Sequence, residues 1–171
     1  HLCHLLHEAG AKLIVADIRP ESVEKIVSAC GARAVGTSEI LAVEADVLAP
    51  CALGAILNDA SIAQLKTKII AGSANNQLAE ARHGQTLRER GILYCPDYAI
   101  NAGGVINVCY EHLSGPGGYN RDKAYAHIGK IAGTMQAIFD LAAQQDIPTS
   151  LAADRLAEQR LTGGDGSQKA A

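Results

Sequence analysis

The sharpest chemical feature of the chain is an acid that closes an apolar run. KLIVADI (12–18) carries Asp17 one residue from its end. A carboxylate at the C-terminal end of a buried parallel strand can accept both hydroxyls of an adenosine ribose, and its charge repels a 2′-phosphate. Those two properties select NAD over NADP. Three further stretches finish apolar runs with small or amide residues: APCALG (49–54), GSANN (72–76) and PDYAINAGG (96–104). Small side chains let the backbone approach a flat ring, and amides supply both the donor and the acceptor that a carboxamide needs. Ligands of open α/β sheets lie off the carboxyl ends of the strands, so three such ends on one rim make the wall of a nicotinamide pocket. NAGG also opens a helix, whose unpaired N–H groups favour an anion or a carbonyl oxygen. One turn on, Val105 and Val108 stand at i and i+3, a spacing that suits an apolar side-chain pocket and equally suits core packing.

Other residue types point to weaker chemistries. His1, His4 and His7 are spread over a wide helix face without the i, i+4 pairing of helical zinc motifs, and no metal site is expected there. The five cysteines (3, 30, 51, 95 and 109) form no C-x-x-C and no even-numbered framework; they read as free thiols of a reducing cytoplasm. Tyr119 and Lys123 stand in a Y-x-x-x-K arrangement, in which a lysine can lower the pKa of an acidic tyrosine. They follow a Gly/Pro turn, and Ile106 occupies the place of the serine that usually accompanies such a pair.

The elements that must position these residues alternate between strand and helix. HLCHLLHEAG reads as a helix with Leu2, Leu5 and Leu6 on one face and Gly10 as its stop; it has no N-cap and is expected to be cut at its front. PESVEKIVSACG (20–31) has Pro at the first helical position and a closing Gly. A short helix over 37–45, a strand over 46–57 broken by Pro50, a capped helix over 58–65 and a strand over 67–76 follow. A polar helix over 77–91 and a strand over 92–97 complete the alternation, which predicts a doubly wound parallel sheet. Beyond residue 100 the pattern becomes helical: 101–113, one long helix over 121–146, and 149–161. The expected organisation is a dinucleotide-binding domain over 1–113, helices over 114–161 that complete it, and a disordered polar tail over 162–171.

At 171 residues and 48% hydrophobic content, the chain is sized for one globular domain. A net charge of −3 and a pI near 6.1 disfavour a broad nucleic-acid footprint, and five Tyr, one Phe and no Trp disfavour stacking on bases. No apolar run reaches the length of a membrane span.

Taken together, LIVADI, DVLAPCALGAILND, KIIAGSANNQL, RHGQTLRERGILYCPDYAINAGGVINV and AADRLAEQR resemble the cofactor-binding part of the glutamate/leucine/phenylalanine/valine dehydrogenase family, in its leucine-type branch. The resemblance covers about residues 1–161. It implies a Rossmann-like α/β fold and NAD-dependent, reversible oxidative deamination of a branched-chain L-amino acid to its 2-oxo acid and ammonia. It implies a cofactor set of Asp17, Ile18, Cys51, Ala52, Asn75 and Asn101, with Asp17 on the adenosine ribose and Ala52, Asn75 and Asn101 around the nicotinamide and its ribose. It also implies an aliphatic substrate pocket shaped by Val105 and Val108, and a homo-oligomeric parent. The family's first strand and glycine-rich phosphate loop, and its catalytic lysines and aspartate, have no counterpart here, so no catalytic residue is assigned and the chain alone is expected to be inactive. Without that strand, the strand at 12–18 and the strand at 46–52 are expected either to pair directly or to stay open. The competing expectation is a non-catalytic remnant that binds nucleotide or forms oligomers.

Overall fold

The computed structural model describes residues 1–114 and 118–162, which fold as two compact units. The first, 1–44 with 64–66, opens with helix α1 (Leu2–Glu8). Gly10 then takes φ +86°, a backbone state that costs a side-chain-bearing residue roughly 1–2 kcal/mol. Strand β1 (Ile14–Val15) leads to α2 (Pro20–Cys30), which has Pro20 in its first turn. Gly31 ends α2 at φ +63°, its N–H donating to the Val27 carbonyl at 2.9 Å. Strand β2 (Arg33–Ala34) returns parallel to β1, with Ile14 beside Arg33 and Val15 beside Ala34. The run KLIVADI is therefore a shorter and only half-buried strand than its composition predicts, because a ladder extends only as far as its partner does. The helix expected over 37–45 is a single 3₁₀ turn, Ile40–Ala42.

The second unit holds 45–63 and the described residues from 67 onward. Its sheet has the order β3 (Glu44–Leu48), β4 (Lys66–Ile70), β5 (Leu93–Tyr94). β4 and β5 run parallel, with Ile69 beside Leu93 and Ile70 beside Tyr94. Among the described residues the strands form two sheets, β1-β2 and β3-β4-β5, so β1 and β3 do not pair. Helices α3 (Asp59–Gln64) and α4 (Arg82–Glu89) connect the strands. Residues 77–81, expected as the first turn of α4, lie outside it: Leu78 forms an isolated parallel bridge with Leu57, and 79–81 bend and turn into the helix, with Ala81 as its N-cap.

After β5 the chain is helical: α5 (Asp97–Ile100), α6 (Gly103–His112), α7 (Arg121–Ile128), α8 (Ile131–Gln145) and α9 (Thr149–Thr162). The long helix expected over 121–146 is broken between α7 and α8. There Gly129 still bonds back to Tyr125, but Lys130 bonds to His127 only three residues earlier, and the α-ladder restarts from the Lys130 carbonyl. α8 and α9 pack through small residues: Ala142, Ala152 and Ala153 are buried with Met135, Ile138 and Cys95. Helix α9 runs one residue into the stretch expected as a tail; the rest of that stretch, 163–171, lies outside the described residues. No helix among the described residues is long and apolar enough to cross a membrane.

Candidate functional site

Three strand ends converge in the second unit. Past β3, the Leu48 carbonyl accepts from Ala71 N–H and the Pro50 carbonyl accepts from Ala74 N–H, both at 2.9 Å. Past β4, Gly72 lies so close to Pro50 that a Cβ would stand 2.1 Å from the Pro50 carbonyl oxygen. Past β5, the Cys95 N–H donates to the Ile70 carbonyl at 2.8 Å. APCALG, GSANN and PDYAINAGG thus lie side by side, as the chemistry of a shared rim requires.

On this rim the Asn101 Nδ2 donates to Asn75 Oδ1 at 2.6 Å and to the Ser73 carbonyl at 3.2 Å. The pairing leaves Asn75 Nδ2 as donor and Asn101 Oδ1 as acceptor without a protein partner among the described residues. Asn75 is exposed and Asn101 half-buried, so both groups can meet a ligand. Cys51 and Ala52, also exposed, follow the buried Pro50 on the neighbouring loop. That loop is pressed against GSANN: Ala55 N–H donates to the Asn76 carbonyl at 2.7 Å. Ala55 and Asn76 both take positive φ, 55° and 52°, so local strain accumulates where the two loops meet.

Val105 and Val108 lie on the first two turns of α6, 62% and 59% exposed. Neither packs into the core of this chain. Asp17 and Ile18 belong to the first unit, where they follow β1 and are exposed. Asp17 Oδ1 accepts from the Arg19 N–H at 2.9 Å, with the Arg19 Nε at 3.6 Å. No donor among the described residues meets Oδ2, which stays available to a hydroxyl.

Two buried polar residues behind the rim escaped sequence reading. Asp97 accepts from the Gln77 N–H at 2.7 Å and from the Tyr98 N–H at 2.7 Å. Gln77 Nε2 donates to the carbonyls of Gly72 and Ala74, both at 2.9 Å. Burial, and then the charge of Asp97, push the neighbouring Tyr94 phenol well above its usual range, so it stays neutral. The Tyr98 phenol is raised too, by burial first and then by its hydrogen bond to Asp154, which ties α5 to α9. The only signal available in sequence was the acid after Pro96, which reads as a strand stop.

The Tyr119 and Lys123 pair has another use. Tyr119 donates its hydroxyl to Asn107 Oδ1, and the Lys123 N–H donates to Asn120 Oδ1 as the cap of α7. His4 Nδ1 lies 3.5 Å from the Sγ of buried Cys30, across the contact between α1 and α2.

Comparison with known proteins identifies the family. Residues 9–162 match the model of the glutamate/leucine/phenylalanine/valine dehydrogenase family. Leucine dehydrogenase of Geobacillus stearothermophilus is 54% identical over 161 residues, covering 94% of this chain and 43% of that protein. L-tryptophan dehydrogenase of Nostoc punctiforme is 45% identical over 172 residues, covering 100% of this chain and 48% of that protein. The crystal structure of that L-tryptophan dehydrogenase superposes with a TM-score of 0.91 at 46% identity, over 95% of this chain and 48% of the other. The chain thus spans about half the length of these relatives or less. From residue 9 through the described end of α9, it belongs to the glutamate/leucine/phenylalanine/valine dehydrogenase family.

Proposed function

We propose that this chain is the cofactor-binding part of an NAD-dependent dehydrogenase that deaminates a branched-chain L-amino acid to its 2-oxo acid and ammonia. The observation that carries the reading is the Asn75–Asn101 pair, which presents one open donor and one open acceptor side by side, the complement of a carboxamide. NAD, when bound, supplies the hydride acceptor. The chain's own residues would hold and orient it. Asn75 and Asn101 would fix the carboxamide, the small residues Cys51 and Ala52 would leave room for the ring, and Asp17 Oδ2 would take the adenosine ribose with Ile18 beside it. Val105 and Val108 offer an exposed aliphatic surface one turn beyond Asn101, suited to an aliphatic side chain. Two valines leave room for Leu, Val or Ile, among which one methylene shifts selectivity by only about 1–3 kcal/mol.

Titration of the chain with NADH and NADPH, followed by the amide signals of Asn75 and Asn101, tests the cofactor. NADH should move both signals and bind more tightly than NADPH, and Asp17→Ala should abolish that preference. Equal affinities in the unaltered chain would remove Asp17 from the site. With the native protein purified from its source, NAD reduction should run faster with leucine than with phenylalanine, tryptophan or glutamate. A faster rate with any of these three would overturn the branched-chain reading.

A further inference from the structure

The exposed amide pair of the rim has a buried counterpart directly behind it. Asp97 begins the turn of α5 that ends at Asn101, and the Asn101 N–H donates to the Asp97 carbonyl at 2.9 Å. Gln77 lies two residues past Asn75. The Asp97–Gln77 bond of 2.7 Å and the Asn101–Asn75 bond of 2.6 Å are therefore two rungs between the same two segments. The inner rung is charge-assisted and shielded: Asp97 is 6% exposed and Gln77 fully buried. The outer rung is a neutral bond at the surface, where water competes for both partners. A charge-assisted bond shielded from water is roughly twice as strong as a neutral one, so the inner rung sets the spacing at which the outer one forms.

The remaining groups of the inner pair leave little freedom. Asp97 uses one oxygen on Gln77 N–H and the other on Tyr98 N–H, so an amide at position 97 would turn a donor toward a donor. Gln77 Nε2 ties down the carbonyls of Gly72 and Ala74, the residues that lead into Asn75. Neither side chain reaches the surface, so neither can touch a ligand directly.

We infer that Asp97 and Gln77 are positioning residues for the nicotinamide end of the cofactor: the buried rung holds GSANN and the end of α5 at the separation where Asn75 and Asn101 pair, and so orients the donor and acceptor offered to the carboxamide. This rests on the function proposed above and assigns its geometry to two residues that do not contact the cofactor.

The test uses the whole 171-residue chain, with NADH as one probe and ADP-ribose, which lacks the nicotinamide, as the other. In the unaltered chain NADH should bind more tightly than ADP-ribose. Asp97→Asn should weaken NADH binding by about tenfold or more, to the level of ADP-ribose, with ADP-ribose affinity unchanged. Without any ligand, the same substitution should shift the Asn101 side-chain amide signal out of its paired position. A general structural defect would instead weaken both ligands alike. If Asp97→Asn keeps a native backbone spectrum, the NADH advantage and the Asn101 signal, the inference is overturned. If that variant does not fold, Gln77→Met tests the side-chain part: it leaves the bond from the residue-77 N–H to Asp97 and removes the Nε2 bonds to Gly72 and Ala74. It should lower the NADH advantage and shift the Asn101 signal, and a folded variant that keeps both overturns the inference. Equal binding of NADH and ADP-ribose by the unaltered chain would overturn the nicotinamide reading of the rim. The Asn101 signal would then decide the positioning claim separately.

Discussion

At the scale of single residues, closeness of backbone to backbone matters most in this site. Gly72 is needed for space and not for a special dihedral: its absent Cβ would sit 2.1 Å from the Pro50 carbonyl oxygen and 2.4 Å from the Pro50 nitrogen. Those are main-chain atoms of a buried proline, which cannot swing away as a side chain can. Gly72→Ala should therefore destabilise the chain by about 3 kcal/mol or more, at the upper end of overpacking effects. Gly91→Ala makes the contrast. Gly91 ends α4 at φ +69°, and a methyl group there would meet nothing within 4 Å, so only backbone strain opposes the change, about 1 kcal/mol. Urea midpoints of the two variants should differ accordingly, and equal losses would show that Pro50 can move.

At the scale of elements, α3 and α4 are anchored by polar groups at their starts. Asn58 Oδ1 accepts from the N–H groups of Ala60 and Ser61, while Ser61 Oγ accepts from the Asn58 N–H, a reciprocal cap. Asn58→Ala should cost about 1 kcal/mol, measured as a drop in unfolding free energy. At the first residue of α4, Arg82 forks onto Asp59 at 2.7 and 2.6 Å and also meets Glu80 at 2.9 Å. The Arg82 guanidinium holds the Asp59 carboxyl down to about 2. A depressed carboxyl adds stability above the ordinary carboxylate range, and that contribution is lost as pH falls through the folded value. Stability should therefore fall more steeply in the native chain than in Asp59→Asn as pH drops from about 4 to about 2. The groups are exposed, so the difference should be small and should shrink in salt; parallel acid profiles would show that the fork contributes nothing.

Elements with local signals were legible in the sequence: Pro20 and Gly31 bracket α2, and Gly91 closes α4. What depends on a partner far along the chain was not. β2 has two exposed residues and exists because β1 lies beside it. Gln77 opens a stretch with helical periodicity, yet its backbone is claimed by Asp97 and by Leu57. The rim residues Asn75 and Asn101 could be picked by type, whereas the buried pair behind them could not, because burial of an Asp and a Gln leaves no periodic trace.

At the scale of the whole molecule, the two units differ in how much they bury. In the first unit only Cys30, Ala32 and Leu65 are buried apolar side chains, and Leu2, Leu5 and Leu6 of α1 are left exposed in part. The second unit encloses Leu57, Ile62, Ile70, Leu87 and Ile138 almost completely. Fully burying each such side chain contributes about 1.5–3 kcal/mol, whereas a unit of about 45 residues with so small a core is marginal by size alone. The chain should therefore not unfold in one step. Hydrogen exchange in rising urea should release the amides of β1, α2 and β2 first, while those of β4, α8 and α9 stay protected to a higher concentration. Loss of protection in all of these elements at one urea concentration would mean that the two units share a single cooperative transition, and that the small core of the first does not set its stability.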